Sequence, residues 1–220
     1  MDAGRQKIAA GMVLKKVDPK RAAELMLEGV QPQVASGHFT AAAKSMQEAG
    51  EMFEKEDDPE RAVECYRTAA EYYEMENSTS RSNAILLKIA QLQATAGKYD
   101  EAIEIYEKVS EASLQNNLLK YSVREYLFKS MICQFAKDDT IGARRKLEKY
   151  EEMDPTFAAQ REGKLCEKIL DACEAYDVDA FTAAVAEYDA ITPLDAFKTS
   201  VLLKVKNTIM AAHGGGDSLC

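Results

Sequence analysis

One helix opening recurs along this chain at a fixed interval, and that recurrence limits the possible folds more than any other feature. "DPKRAAELM" begins at Asp18, "DPERAVECY" at Asp58 and "KYDEAIEIY" at Lys98, forty residues apart each time. Asp18-Pro19 and Asp58-Pro59 each read as an N-cap followed by a proline at the first helical position. Gly97 stops the helix before it, and Asp100 begins the next. Within "PERAVECYRTAAEYYEM", Ala62, Val63, Tyr66, Ala69, Ala70 and Tyr73 form one apolar stripe at helical spacing. Ala22, Ala62 and Ala102 share one repeat phase, and counting on by forty assigns Gly142 and Thr182 to it. Small residues in that phase let a neighbouring helix approach closely.

A second series of helices alternates with the first: "HFTAAAKSMQEAGEMFEK", "SRSNAILLKIAQLQATAG" and "LLKYSVREYLFKSMICQF". A hairpin of two such helices cannot bury its own apolar stripe, so hairpins must stack on one another. The expected fold is all-α: a tetratricopeptide-like, right-handed stack of antiparallel helical hairpins with a C-terminal helical bundle. The array is expected over residues 1–150. After about Lys149 the phase weakens and "MDPTF" marks a turn. Helices near 157–175, 178–190 and 194–210 make a bundle over 151–212. The glycine-rich end, 213–220, reads as a flexible tail by composition.

Composition narrows the function classes. Of 220 residues, 46% are apolar and 30% charged, which is neither a disordered nor a membrane-spanning composition. "MDAGRQKIAAGMVLKK" lacks a signal-peptide layout, so the cytosol is the expected compartment. Five cysteines without a CxxC pair point to free thiols, and two histidines are too few for a zinc site. A net charge of -9 argues against nucleic acid as the main partner. There is no phosphate-cradling glycine loop, no GxSxG elbow and no HExxH motif, so the reading is a non-enzyme without cofactors.

Candidate interaction residues fall in a few groups. Lys44, Ala84, Arg124 and Lys164 share one phase at forty-residue spacing, and three of the four are cationic in an acidic protein. Lys120 and Lys88 would widen such a patch. Two readings fit this ladder: a basic stripe that grips an elongated acidic partner, or a solvated face with ordinary salt bridges. Tyr66, Tyr72, Tyr73, Tyr99 and Tyr106 lie on apolar stripes and read as core. Asp171, Glu174, Asp177 and Asp179 cluster at a helix end, either solvated or facing a basic partner. Leu219 is an apolar residue in a polar tail.

Four segments carry a resemblance: "LLKIAQLQATAGKYDEAIEIYEKV", "NNLLKYSVREYLFKSMICQF", "KLEKYEEMDPTF" and "AVAEYDAITPLDAFKTSVLLKVKNTI". With them the chain resembles the soluble NSF attachment proteins, closest to the alpha type, over nearly its whole length. The resemblance implies a twisted sheet of helical hairpins capped by a C-terminal bundle. It implies a non-enzymatic adaptor that binds the SNARE four-helix bundle along a partly basic face and recruits the hexameric ATPase NSF. By that likeness Lys44 and Arg124 match basic positions facing the SNARE bundle. Ala84 matches another but lacks the charge, and His38 stands where the alpha type usually has arginine. Arg161, Asp171 and Glu174 match polar positions linked to NSF contact, and Leu219 matches the penultimate leucine that stimulates the ATPase. The family is longer at its N-terminus. The chain is expected to lack the first hairpins and the apolar loop that touches membranes, giving a cytoplasmic protein with weak or indirect membrane association. The alternatives are a tetratricopeptide scaffold that holds a short peptide or chaperone tail, and a regulatory subunit of a cytosolic enzyme.

Overall fold

The computed structural model describes residues 3–116 and 119–214, and among them finds eleven α-helices and no strand. In chain order these are α1 (Ala3–Leu14), α2 (Pro19–Ala35), α3 (Phe39–Lys55), α4 (Pro59–Met75), α5 (Thr79–Thr95) and α6 (Tyr99–Leu114). They continue as α7 (Lys120–Phe135), α8 (Thr140–Met153), α9 (Arg161–Ala175), α10 (Val178–Asp189) and α11 (Ala196–Gly214), with a 3₁₀ turn at Phe157–Ala159. The helices near 157–175, 178–190 and 194–210 are therefore present with small shifts at their ends. The fold class is the all-α, tetratricopeptide-like one that the spacing predicts.

The regularity comes from a repeated turn. Gly37, Asp57, Asn77 and Gly97 all adopt left-handed backbone, with φ of 73°, 57°, 54° and 78°. The residue after each donates its backbone N–H five positions back: His38 to Gln33, Asp58 to Phe53, Ser78 to Tyr73 and Lys98 to Gln93, at 2.8–2.9 Å. This is the Schellman closure, in which one left-handed residue ends the helix and satisfies its orphan carbonyls. Its price is low for glycine, asparagine and aspartate, which tolerate that conformation best. The side chains of Asp18, Asp58, Asp139 and Asp177 then cap α2, α4, α8 and α10 by accepting backbone N–H bonds at 2.8–3.2 Å. Three linking residues thus separate α2 from α3, α3 from α4, α4 from α5 and α5 from α6.

The chain forms two compact units, Met1–Leu92 and Gln93–Cys220. In the first, α1 packs on α2, α2 on α3 and α3 on α4. Its core holds Met26, Met52, Phe53 and Tyr66, each at most 1% exposed. Close approach is built in at Gly50 on α3: a Cβ there would sit 2.7 Å from the Tyr66 ring of α4. In the second unit α6 packs on α7, α7 also meets α8, α9 and α11, and α10 bridges α9 and α11. Leu127, Phe128, Met131 and Ile132 make α7 its central element, all at 0% exposure. Of the predicted core tyrosines, Tyr66, Tyr73, Tyr99 and Tyr106 are buried, whereas Tyr72 is half-buried.

The forty-residue count fails after α6. Ala22, Ala62 and Ala102 are fully buried, as the phase predicts. The count then predicts Gly142 and Thr182, but Gly142 is half-buried in the first turn of α8 and Thr182 is exposed on α10. The buried small residues are instead Ala143 and Ala184, at 0% and 6% exposure. At α8 the reason is a longer connection, which starts that helix one residue later than the interval predicts. Five residues, 115–119, join α6 to α7, and four, 136–139, join α7 to α8.

Candidate protein-binding surfaces

In the first unit, α3 presents its cation by simple helical arithmetic. Ala42, Ala43, Met46 and Ala49 turn inward, which leaves Lys44 on the opposite, exposed face. Among the described residues Lys44 has no ion-pair partner, so its charge is available to another molecule. His38 is the N-cap residue of α3, exposed, and its side chain makes no capping bond. Ala84 is exposed on α5.

Lys88 is differently placed. Its ammonium lies 2.8 Å from Glu54 and 4.6 Å from the centre of the Tyr66 ring. The same Glu54 carboxylate accepts a 2.6 Å bond from the Tyr66 hydroxyl. Burial and that acidic neighbour push the Tyr66 phenol far above its ordinary value, so it stays a neutral donor. Lys88 therefore closes a Lys–Glu–Tyr cluster between α3, α4 and α5, and most of its charge is balanced there.

In the second unit, Lys120 opens α7 and lies 5.4 Å from the centre of the exposed Tyr121 ring. Arg124, one turn further, is exposed; its Nη1 donates to Gln160 Oε1 at 3.5 Å, a weak contact at the limit of hydrogen bonding. Lys164 is exposed on α9. All four ladder positions, Lys44, Ala84, Arg124 and Lys164, thus lie on the exposed faces of their own helices.

The acidic group of α9 is partly neutralised. Arg144 of α8 forms a two-pronged bond to Glu174, Nε to Oε1 at 2.9 Å and Nη2 to Oε2 at 2.6 Å, and lies 3.7 Å from Asp171. The guanidinium holds the Glu174 carboxyl below its usual value, and Glu174 raises that of Arg144. Asp177 caps α10 through the Ala180 N–H, and Asp179 lies in the first turn of that helix. Arg161, at the start of α9, donates to the Thr192 hydroxyl at 3.2 Å. Leu219 lies outside the described residues.

The spacing of the sequence gives no sign of Arg144 as the partner of Asp171 and Glu174, because thirty residues separate Arg144 from Glu174. The same holds for Lys198. It is 6% exposed and binds Glu125 at 2.8 Å and Asp195 at 3.4 Å, tying the start of α11 to α7. Among the described residues no group of three or more His, Cys, Asp or Glu side chains is arranged to hold a metal ion, and no helix is long and apolar enough to cross a membrane.

Comparison with known proteins gives this arrangement a family. A family model described as "Soluble NSF attachment protein, SNAP" matches residues 1–210. The alpha-soluble NSF attachment protein of Dictyostelium discoideum is 43% identical over 173 residues, covering 79% of this chain and 60% of that protein. The mouse alpha-soluble NSF attachment protein is 40% identical over 209 residues, 94% of this chain and 70% of the mouse protein. A probable vesicular-fusion protein sec17 homolog of Neurospora crassa is 38% identical over 213 residues, 96% of this chain and 73% of that protein. The chain thus spans between three fifths and three quarters of the length of these relatives. With the family model matching residues 1–210 and relatives about 40% identical over most of the chain, the chain belongs to the soluble NSF attachment protein family.

Proposed function

We propose that this protein is an adaptor that binds the SNARE four-helix bundle, recruits the NSF ATPase to it and stimulates that ATPase during vesicle fusion and trafficking. The reading is supported by the family and by the names of its relatives, which speak of NSF attachment and vesicular fusion. In it, residues 1–150 are the hairpin array that lies along the SNARE bundle, residues 151–212 are the bundle that meets NSF, and 213–220 are the tail. The protein works in the cytoplasm, peripherally associated with membranes, and performs no chemistry itself.

The observation that carries this reading is Lys44. It is a lysine on the exposed face of a helix in an acidic protein, with no ion-pair partner among the described residues. An unpaired surface cation gains more from an incoming carboxylate than one already paired, and it steers encounter over a Debye length of about 8 Å at physiological salt. Arg124 offers a second cation with only a weak internal contact. His38, on the helix of Lys44, and Lys120, on the helix of Arg124, are taken as further contacts of the SNARE bundle with each unit. Lys88 contributes less, because Glu54 already balances it. Arg161, Asp171, Glu174 and Leu219 form the contact with NSF. Arg144 must then be counted with it, because it holds both acids.

The test is capture of a purified SNARE bundle by the wild-type chain and by the Lys44→Glu/Arg124→Glu variant. Binding by the variant should fall strongly, and wild-type binding should weaken as salt is raised. Equal capture by the two proteins at low salt would refute the assignment of these cations.

A further inference from the structure

Between α10 and α11 lies an open groove of about 260 Å³, separate from Arg161, Asp171 and Glu174. Phe181, Val185, Leu194 and Leu202 form its apolar lining, and Leu203 and Lys206 belong to its rim. Phe181 and Leu202 are buried at 2% exposure, whereas Leu203 is 56% exposed. The apolar surface continues past the groove. Leu203, Lys206 and Met210 follow one another at i, i+3 and i+7 on α11, and Met210 is 51% exposed. That stripe runs about 10 Å along the helix axis. Leu203 and Met210 are large apolar side chains left on the surface of one helix face.

The polar groups around the groove define what it accepts. The Thr182 hydroxyl donates to the Val178 carbonyl at 2.7 Å and the Thr199 hydroxyl to the Asp195 carbonyl at 2.9 Å. One oxygen of Asp189 accepts the Leu194 N–H at 2.7 Å and so is committed to the turn before α11. Lys206 is half-buried and has no ion-pair partner among the described residues. Of the side chains lining the groove, its ammonium alone has donor capacity not already directed at the protein. A half-buried cation beside apolar surface favours an occupant that brings a carboxylate and an apolar face together.

We propose that the α10–α11 groove binds an amphipathic helical segment of a partner protein, whose apolar stripe lies on Val185, Leu194 and Leu203 and whose acidic residue meets Lys206. An open trough continuous with a two-turn stripe suits a helix laid along it. A small amphiphile would need a site that encloses most of its surface.

The probe is a synthetic helical peptide with leucines at i, i+3, i+4 and i+7 and glutamate beside that stripe. A matched peptide carries lysine in place of the glutamate. Anisotropy and backbone amide spectra are recorded on the whole chain. The glutamate peptide should bind saturably, with shifts centred on α10 and α11, and the lysine peptide at least about tenfold more weakly. Lys206→Glu should reverse that order, which a merely structural role for Lys206 would not do. Leu203→Ser should weaken both peptides while leaving the denaturation midpoint unchanged. The proposal fails if neither peptide saturates, if the shifts fall elsewhere, or if Lys206→Glu leaves the preference unaltered. It also fails if decanoate occupies the groove and the peptides do not.

Discussion

Glu107 on α6 is the junction of three helices, and replacing it by glutamine should cost stability in a pH-dependent way. Its Oε1 accepts from the Lys146 ammonium and from the Tyr150 hydroxyl, each at 2.6 Å, and its Oε2 accepts from Lys149 at 2.8 Å. The Tyr150 hydroxyl also shares a 2.6 Å hydrogen bond with Ser130 of α7, so α6, α7 and α8 meet at one carboxylate. The Glu107 side chain is 15% exposed, whereas Lys146 and Lys149 are 26% and 47% exposed. Bonds to a charged group contribute roughly 1.5–3 kcal/mol when buried, and the exposed lysines reduce their share towards the surface value. Glu107→Gln keeps the shape and one acceptor but turns an amide NH₂ towards a cation. The expected loss is about 2–3 kcal/mol.

Burial alone would raise the Glu107 carboxyl, but the bonds from Lys146, Lys149 and Tyr150 outweigh it and hold the carboxyl below its usual value. A carboxyl lowered in the folded state contributes its full stability above the ordinary glutamate range and loses it as pH falls through the lowered value. Urea denaturation of wild type and Glu107→Gln should therefore differ most at neutral pH, and the gap should close in acid. Equal midpoints at neutral pH, or a gap that persists unchanged in acid, would refute this account of the junction.

Three further outcomes follow from particular contacts. Gly50→Ala should destabilise by about 1–3 kcal/mol in urea melts, because the new Cβ meets the Tyr66 ring at 2.7 Å and that ring is held by Glu54. Asp58→Ala should cost about 0.5–2 kcal/mol by removing the cap of α4, and Asp58→Asn should restore most of it. Burial pushes the thiols of Cys65 and Cys173 up to about 11, Cys133 up to about 12, and Cys166 well above its ordinary value. All four should resist iodoacetamide in the native protein and react on unfolding; fast native labelling of any of them, located by peptide mass spectrometry, would contradict their burial.

The fold was legible because its turns are written locally. Asp18, Asp58, Gly97 and the small residues Ala22, Ala62 and Ala102 each announce their role through near neighbours in the chain. The phase failed at Gly142 because a link of unusual length leaves no mark in a count by forty, and Ala143 took its place; at Thr182 it failed because the helices after α8 no longer keep the interval. Exposure of Lys44 and Arg124 was likewise readable from the apolar residues around them. What was hidden was pairing across space. Lys88 looks like a free cation until Glu54 and Tyr66 are seen beside it. Asp171 and Glu174 look like an open acidic patch until Arg144 is found across from them. Lys198, in "AFKTS", resembles any surface lysine, yet it is buried against Glu125 because α11 packs on α7. Such partners are chosen by tertiary packing, which single-helix patterns do not encode.

The central claim is that this chain couples a SNARE bundle to NSF. It is tested most directly by mixing purified SNARE bundle, NSF and ATP with and without the chain, and following separation of the bundle in time. The account predicts separation that depends on the chain and is lost with Lys44→Glu/Arg124→Glu. Separation at the same rate without the chain, or none with it present, would contradict the account.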